Sequence, residues 1–408
     1  MWMQTKLAWR NIFRNKRRTA IAGIAIGIGL ASMIFTDALI IGMKENMIQS
    51  ATGSFLGEAQ IHRKGFRETY EVEKTIVHPD EVMQELRQDS LVAHATARVM
   101  SLGMLSSPSD VSAVTMVGVN PSTEQYLSQI DETLIKGHYF AADNERALLI
   151  GNELADLLQV ELGDRVVLTV AQAGTGDLSQ EMFRVSGIFH FNVEEMDKGM
   201  AFIRIGKARD MLGLDGAVHE IAINFTDPSI ARQSNNPFWA RYSTNGNEAV
   251  GWPVLVPQLE AAFEMSQFST YLVGIILFSV VALGIINTLF MSLHERMFEF
   301  GVMRAVGTSP FAIGRLILFE AGALAVVSIL LGIVLGYAVT AITASTGIDY
   351  SGIEFAGVTF RKLLYPEMRL EQFVRFPIWV FIFTTIVGLY PAVYAARMKP
   401  ADALRRSF

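Results

Sequence analysis

Three long stretches without a single Asp, Glu, Lys or Arg constrain this chain more than any other feature: Ser266–Leu293, Ala321–Ile348 and Phe376–Ala396. A fourth runs from Thr19 to Thr36 and resumes after Asp37 through Ala38–Met43. About 20 helical residues cross the ~30 Å hydrocarbon core of a bilayer. The first three therefore suffice outright, and the fourth suffices if Asp37 sits at the interface. The hydrophobic share of 51% leaves room for a soluble portion, since 18% of the residues are charged. The spacing predicts membrane helices over 19–43, 266–293, 310–341 and 376–396. The basic lead-in before Thr19 precedes an apolar run too long for a cleaved signal, and no convincing A-x-A site follows. An uncleaved anchor is expected.

Basic residues flank the predicted helices asymmetrically. Lys6, Arg10, Arg14, Lys16, Arg17 and Arg18 precede the first, Arg296, Arg304 and Arg315 lie around the second turn-around, and Arg397, Lys399, Arg405 and Arg406 follow the last. The positive-inside rule puts all three groups in the cytoplasm. Residues 1–18 carry Trp2, Trp9, Ile12 and Phe13 on one helical arc beside the cations. They read either as a cytoplasmic amphipathic segment on anionic lipid or as a plain positive-inside flank, in the same compartment both ways. Residues 44–265 then form a large extracytoplasmic domain, 342–375 an extracytoplasmic loop, and 397–408 a cytoplasmic tail. The fold class expected is an α-helical membrane protein with four transmembrane helices and a mixed α/β domain of two lobes inserted between helices 1 and 2.

Within that domain the pattern predicts strands at Glu58–His62, Ala113–Val119, Ala147–Ile150, Arg165–Val170, Glu181–Phe189, Ala201–Ile205 and Glu220–Phe225. Helices are expected at Pro79–Arg87 and Asn152–Leu158. Residues 171–180 form a Gly-rich hairpin tip, and the Asn- and Ser-rich stretch 232–247 reads as a mobile loop. The chain has no cysteine, so no disulfide supports this domain.

Between the second and third spans lies 294–309, HERMFEFGVMRAVGTS, short, amphipathic and charged. Gly307 suits a helix C-cap. Ser309-Pro310 supplies an N-cap and a first-turn proline, which start the third span sharply. The segment is thus a separate helix that a soluble partner could hold. Small residues four apart, Gly23/Gly27 and Ser328/Gly332/Gly336, favour close helix packing. Asn287 is expected to hydrogen-bond to a neighbouring helix, and Glu320 to make a polar interhelical contact.

Catalytic chemistry finds no support. The chain lacks G-x-x-x-x-G-K-[ST], H-E-x-x-H and G-x-S-x-G, and its histidines (62, 78, 94, 138, 190, 219, 294) show no metal-ligand spacing. No metal site and no nucleic-acid partner is expected.

The order of one span, a large outer domain and three further spans resembles the permeases of lipoprotein-releasing and macrolide-exporter ABC transporters (LolC/LolE-like and MacB-like, with an FtsX-like domain). HERMFEFGVMRAVGTSP looks like that family's coupling helix. ALLIGNELADLLQVELGDRVVLTV with FRVSGIFHF looks like its extracytoplasmic core, and YPAVYAARMKPADALR like its closing segment. The resemblance implies a bacterial inner-membrane, non-catalytic subunit. It would pair with a second permease chain, identical or related, and with two copies of a separate ATPase that binds ATP and Mg. Contact with that ATPase is assigned to Glu295, Arg296, Glu299, Phe300, Met303, Arg304 and Gly307. The cargo implied is lipoprotein or another lipidated molecule taken from the outer leaflet; the alternative is mechanotransmission to a periplasmic partner, as in a MacB-like efflux system. A periplasmic chaperone or adaptor would dock on the hairpin tip, here Ala171, Gly174, Thr175, Gly176 and Asp177. That tip lacks the proline of the family's chaperone-binding hook and is expected to be flexible. Glu320 also departs from the uncharged amide expected there.

Overall fold

The computed structural model describes residues 10, 16–141, 144–350, 354–355, 358–359 and 363–397. Most of the amphipathic N-terminal segment and the tail beyond Arg397 lie outside the described residues. The chain divides into two units, one of long helices (through Glu45, Phe263–Asp349 and from Leu363) and one built on a sheet (Asn46–Ala262 with Tyr350–Lys362).

The helical unit is made of α1 (Lys16–Ala51), α2 (Pro257–Glu295), the short α3 (Met297–Ala305), α4 (Pro310–Thr346) and α5 (Gln372–Arg397). By length and composition the four long ones can cross a membrane. Each overruns its uncharged core. α1 continues through the polar but helix-favouring residues after Met43 and ends in a π-helical turn, Thr52–Leu56. In that turn Gly57 donates to the Thr52 carbonyl at 2.8 Å with φ of +75°.

Helices α1 and α4 meet backbone to backbone. A Cβ on Gly27 would lie 3.2 Å from the Ser328 carbonyl oxygen, and one on Gly332 would lie 2.8 Å from Leu30 Cβ and 2.9 Å from the Gly27 oxygen. Around this seam Ile26, Leu30, Ile34, Leu324 and Val380 form an apolar core with Ile285 and Leu289 of α2. At the Asp37 end, Gln372 Nε2 donates to Asp37 Oδ2 at 3.0 Å and Arg375 pairs with Oδ1 at 3.4 Å. The only acid interrupting the first apolar block is thus satisfied from α5.

The sheet unit holds strands β1 (Ala59–Arg63), β2 (Val92–Ser106), β3 (Val111–Val119), β4 (Leu134–Gly137), β5 (Ala147–Gly151), β6 (Arg165–Ala171), β7 (Leu178–Phe189), β8 (Met200–Arg204), β9 (Glu220–Phe225) and β10 (Asn247–Gly251). They form one mixed sheet in the order β10-β1-β9-β2-β3-β8-β5-β7-β4, with β6 bridging β2 and β7. β3–β8 and β5–β7 are parallel and the other pairings antiparallel. β2 organises the sheet. Its first half pairs with β9, its second half with β6, and residues from Arg98 onward also pair with β3 on the other edge.

Two expectations for this unit need correction. Residues 232–247 are not simply a loop, because they contain the helix Pro237–Tyr242. Asn236 caps it by accepting from the Phe238 amide, and Pro237 occupies its first turn. The hairpin tip is also shorter and better held than expected. β7 begins at Leu178, opposite Ala171, which leaves only Gln172–Asp177 as loop. The Ala173 amide donates to the Leu212 carbonyl at 2.9 Å, and the Gly174 amide donates to Glu73 Oε1 at 3.1 Å. Gly174 and Gly176 take positive φ of 75° and 70°, which glycine adopts without a Cβ penalty.

Candidate functional site: an anchored lever helix

The segment after Leu293 folds as a helix set off at both ends. α2 stops at Glu295, and Arg296 leaves helical geometry with φ of −107° and ψ of 14°. α3 closes with paired backbone bonds, Thr308 N–H to the Met303 carbonyl at 2.9 Å and Gly307 N–H to the Arg304 carbonyl at 3.1 Å. Gly307 supplies the φ of +100° that this Schellman closure needs. Ser309 Oγ then accepts from the Ala312 amide at 3.3 Å and starts α4. Two hinges thus bound a nine-residue helix.

One face of α3 is committed to its own chain. Phe300 is buried with Leu293, Ile313, Leu316, Ile317, Ala392 and Ala395, and Met303 packs against the same cluster. Arg296 is buried too. Its NH1 pairs with Glu320 of α4, its Nε donates to Glu299 Oε2 at 3.0 Å, and its guanidinium lies over the Phe300 ring at 4.9 Å. Glu320 is 6% exposed, so its charge is compensated by the arginine rather than by water. Arg304 donates to the Thr308 carbonyl at 3.1 Å and so braces the C-terminal turn.

The opposite face is apolar and open. Phe298 is 50% exposed, Val302 41% and Val306 82%, and Phe311 just beyond is 76% exposed. Phe298 and Val302 on α3 and Val306 at its C-cap are four apart and form one stripe. Of the residues assigned to ATPase contact from sequence, Arg296 and Phe300 point inward, Glu299 braces Arg296, Met303 and Arg304 are partly covered, and Glu295 and Gly307 are exposed. Phe298, Val302 and Val306 were missed. Their signal, a four-residue apolar period offset from Phe300, was readable but overshadowed by the charges.

The remaining predicted positions are spread over the molecule. Gly23 approaches Ser328 Oγ at 3.7 Å, and Gly336 approaches Ile34 Cδ1 at 3.1 Å, measured from an added Cβ. Among the described residues Asn287 has no hydrogen-bond partner on a neighbouring helix, and it is exposed on α2. Ala171, Gly174, Thr175, Gly176 and Asp177 sit together at the β6–β7 tip, where the Asp177 amide donates to Thr175 Oγ1 at 3.2 Å. The Gly174 amide holds the Glu73 carboxyl below the usual carboxylate range.

A second cluster, absent from the sequence reading, lies inside the sheet unit. Arg98 on β2 pairs with Glu124 (Nε–Oε2 3.1 Å, NH2–Oε1 2.5 Å) and with Glu220 (NH1–Oε1 2.8 Å), and its guanidinium sits 3.8 Å from the Phe55 ring centre. Arg98 and Glu124 are fully buried. The two neighbouring carboxylates hold the guanidinium pKa above its ordinary value against the opposing effect of burial. Nothing here is solvent-accessible, so the cluster supports the fold.

Four helices long and apolar enough to cross a membrane, a short helix set off between the second and third, and a sheet unit between the first and second in sequence make up the architecture. Residues 19–234 match the MacB-like periplasmic core domain, and residues 271–400 match the FtsX-like permease C-terminal domain. The chain belongs to this family, the ABC transporter permeases of the LolC/LolE and MacB type. It is 24% identical to the lipoprotein-releasing system transmembrane protein LolC of Xylella fastidiosa over 78% of each chain. It is 22% identical to LolE of Haemophilus influenzae over 98% of each. It is also 23% identical to the probable export ATP-binding/permease protein MacB of Pseudomonas entomophila, over 98% of this chain and 58% of that protein.

Proposed function

We propose that this chain is the permease subunit through which a separate ATPase drives extraction of lipoprotein, or another lipidated cargo, from the outer leaflet of a bacterial inner membrane. The observation that carries the coupling half of this reading is the two-faced α3. Its inner face is fixed to α4 and α5 by Phe300 and the Arg296–Glu320 pair, while its outer face offers Phe298, Val302 and Val306. A helix held this way passes on a push instead of absorbing it. Helix α2 reaches α3 after a single residue and runs unbroken back to Pro257, close to the end of the sheet unit. ATP and Mg would bind the partner, two copies of which would face two permease chains. ATP-driven closure of the ATPases would bias a two-state arrangement of the helices. The cargo half rests on the LolC and LolE relatives, whose names state lipoprotein release.

The match to MacB along 98% of this chain favours one other reading, mechanotransmission to a periplasmic partner without lipoprotein transfer. One experiment addresses both. The full chain is co-expressed with its cognate ATPase, with and without Phe298→Asp/Val302→Asp. ATPase co-purification and stimulated turnover are measured, and lipidated species in the purified complex are identified. Loss of both ATPase readouts in the variant is expected. Wild-type levels of both would sink the coupling assignment, and a complex devoid of lipidated protein would transfer support to mechanotransmission.

A further inference from the structure

A cleft of about 550 Å³ opens in the sheet unit, walled by the helices Pro79–Gln88 and Ile205–Leu212. It exists because the sheet is low at that point. Ala97 of β2 lines it and raises only a methyl group. Two residues on, on the same face, Val99 and its β3 partner Gly118 are closely covered. A Cβ added to Gly118 would lie 2.4 Å from Ala208 Cβ of the helix Ile205–Leu212. The other helix is seated through Leu86, which is fully buried.

Both helices turn polar side chains to the gap. Asp80, Met83, Gln84 and Arg87 all line it, and their spacing puts them on one helical face. Ile205 and Arg209, four apart, line it from the other side. Arg209 Nε donates to the Ala217 carbonyl at 3.1 Å, which fixes the guanidinium and leaves its terminal nitrogens open. Among the described residues neither arginine has a carboxylate partner, and Arg87 makes no hydrogen bond. Asp80 lies about 10 Å from Arg87 along the helix at 1.5 Å per residue. It stands in the first turn, where the helix dipole already favours a carboxylate.

We propose that this cleft binds the phosphomonoester group of a small hydroxylated molecule. Two guanidiniums from separate elements match the near −2 charge and the three acceptor oxygens of that group. At the other end the Asp80 carboxylate accepts from hydroxyls, and Met83, Ile205 and Ala97 face the carbon skeleton. The volume falls within the range of about 300–1,000 Å³ usual for small-ligand sites. The site lies wholly within the sheet unit and does not depend on the coupling reading.

The full chain, purified in uncharged detergent without its ATPase, is titrated calorimetrically with two probes. These are glycerol 3-phosphate and dihexanoyl phosphatidic acid, which carries the same group on a lipid. Saturable binding is expected. Binding of glycerol 3-phosphate assigns a soluble ligand, and binding of the lipid alone assigns a headgroup. Arg87→Ala, at an exposed side chain without partners, should weaken binding about tenfold or more and leave the unfolding midpoint unchanged. Arg87→Lys should restore only part, because an ammonium lacks the guanidinium fork. Ala97→Leu should fill the floor and weaken binding with every charge intact. No saturable binding of either probe, wild-type affinity in Arg87→Ala, or wild-type affinity in Ala97→Leu would overturn the proposal.

Discussion

Arg296 and Glu320, twenty-four residues apart, meet in an ion pair buried between the lever helix and the third long helix. The pair fixes the angle at which α3 leaves the membrane-type core. It also explains an acid in a stretch that otherwise avoids charge, because Glu320 is the counter-ion of a cation that must be placed there.

Removing one partner of a buried pair leaves the other uncompensated, typically at a cost of about 3–5 kcal/mol. Glu320→Ala should therefore lower the thermal midpoint of the detergent-solubilised protein and uncouple ATPase stimulation. The exchange Arg296→Glu/Glu320→Arg should recover part of both. If Glu320→Ala unfolds and couples like wild type, the pair has no anchoring role.

The Arg98 cluster gives a similar expectation for the sheet unit. Arg98→Met strands Glu124 and Glu220 in a dry interior and should destabilise by about 3–5 kcal/mol, measured by denaturant unfolding of the full chain. Adding Glu124→Gln and Glu220→Gln removes the unpaired charges and should return most of that loss.

His219 makes the sheet unit sensitive to acid. Its Nδ1 accepts from the Met100 amide at 3.0 Å and its Nε2 donates to the Val72 carbonyl at 2.9 Å, an arrangement that requires the neutral ring. Burial, the dominant cause, holds its pKa below the ordinary 6.5. Once the pH drops below about 6.5 the unfolded chain takes up a proton that the folded one refuses, so stability falls with falling pH and is fully present above that value. His62, buried beside Glu220, is depressed for the same first reason and adds to the effect. The unfolding midpoint should be lower at about pH 5.5 than at about pH 7.5, and His219→Gln should flatten that slope. An unchanged slope would show that the ring is not titrating.

At the α1–α4 seam, Gly332→Leu should separate the helices and lower the midpoint by several degrees, because its Cβ alone falls 2.8 Å from Leu30. Gly274→Ala on α2, where a Cβ meets nothing within 4 Å, should instead be neutral or stabilising by about 0.5–1 kcal/mol from helix propensity. Equal effects at both sites would contradict the packing described.

Much of this architecture was legible because it depends on long, one-sided signals. Uncharged runs marked the long helices, and Gly307 with Ser309-Pro310 marked the lever's edges. The longest strand, Val92–Ser106, escaped because it carries Arg98 in its middle and is buried on both faces around Val99–Ser101, so no alternation shows. The true length of the hairpin was hidden because Leu178–Gln180 looked like part of a Gly-rich loop, whereas their pairing depends on the register of β6. Facing on α3 was hidden for a different reason. Arg296 reads as a surface cation until a distant residue, Glu320, supplies the charge that lets it turn inward.

At the glycine seam α1 and α4 come closer than side chains would allow, with Gly27 and Gly332 nearly in backbone contact and Leu30 and Ile34 packed beside them. Over its uncharged run Ser266–Leu293, helix α2 is fully covered only along the strip of Ile285, Leu289 and Leu293, and less of its apolar length is buried than that of α4. In the proposed coupling, the closely packed α1–α4 pair is the fixed side and the less covered α2 is the side left free to move.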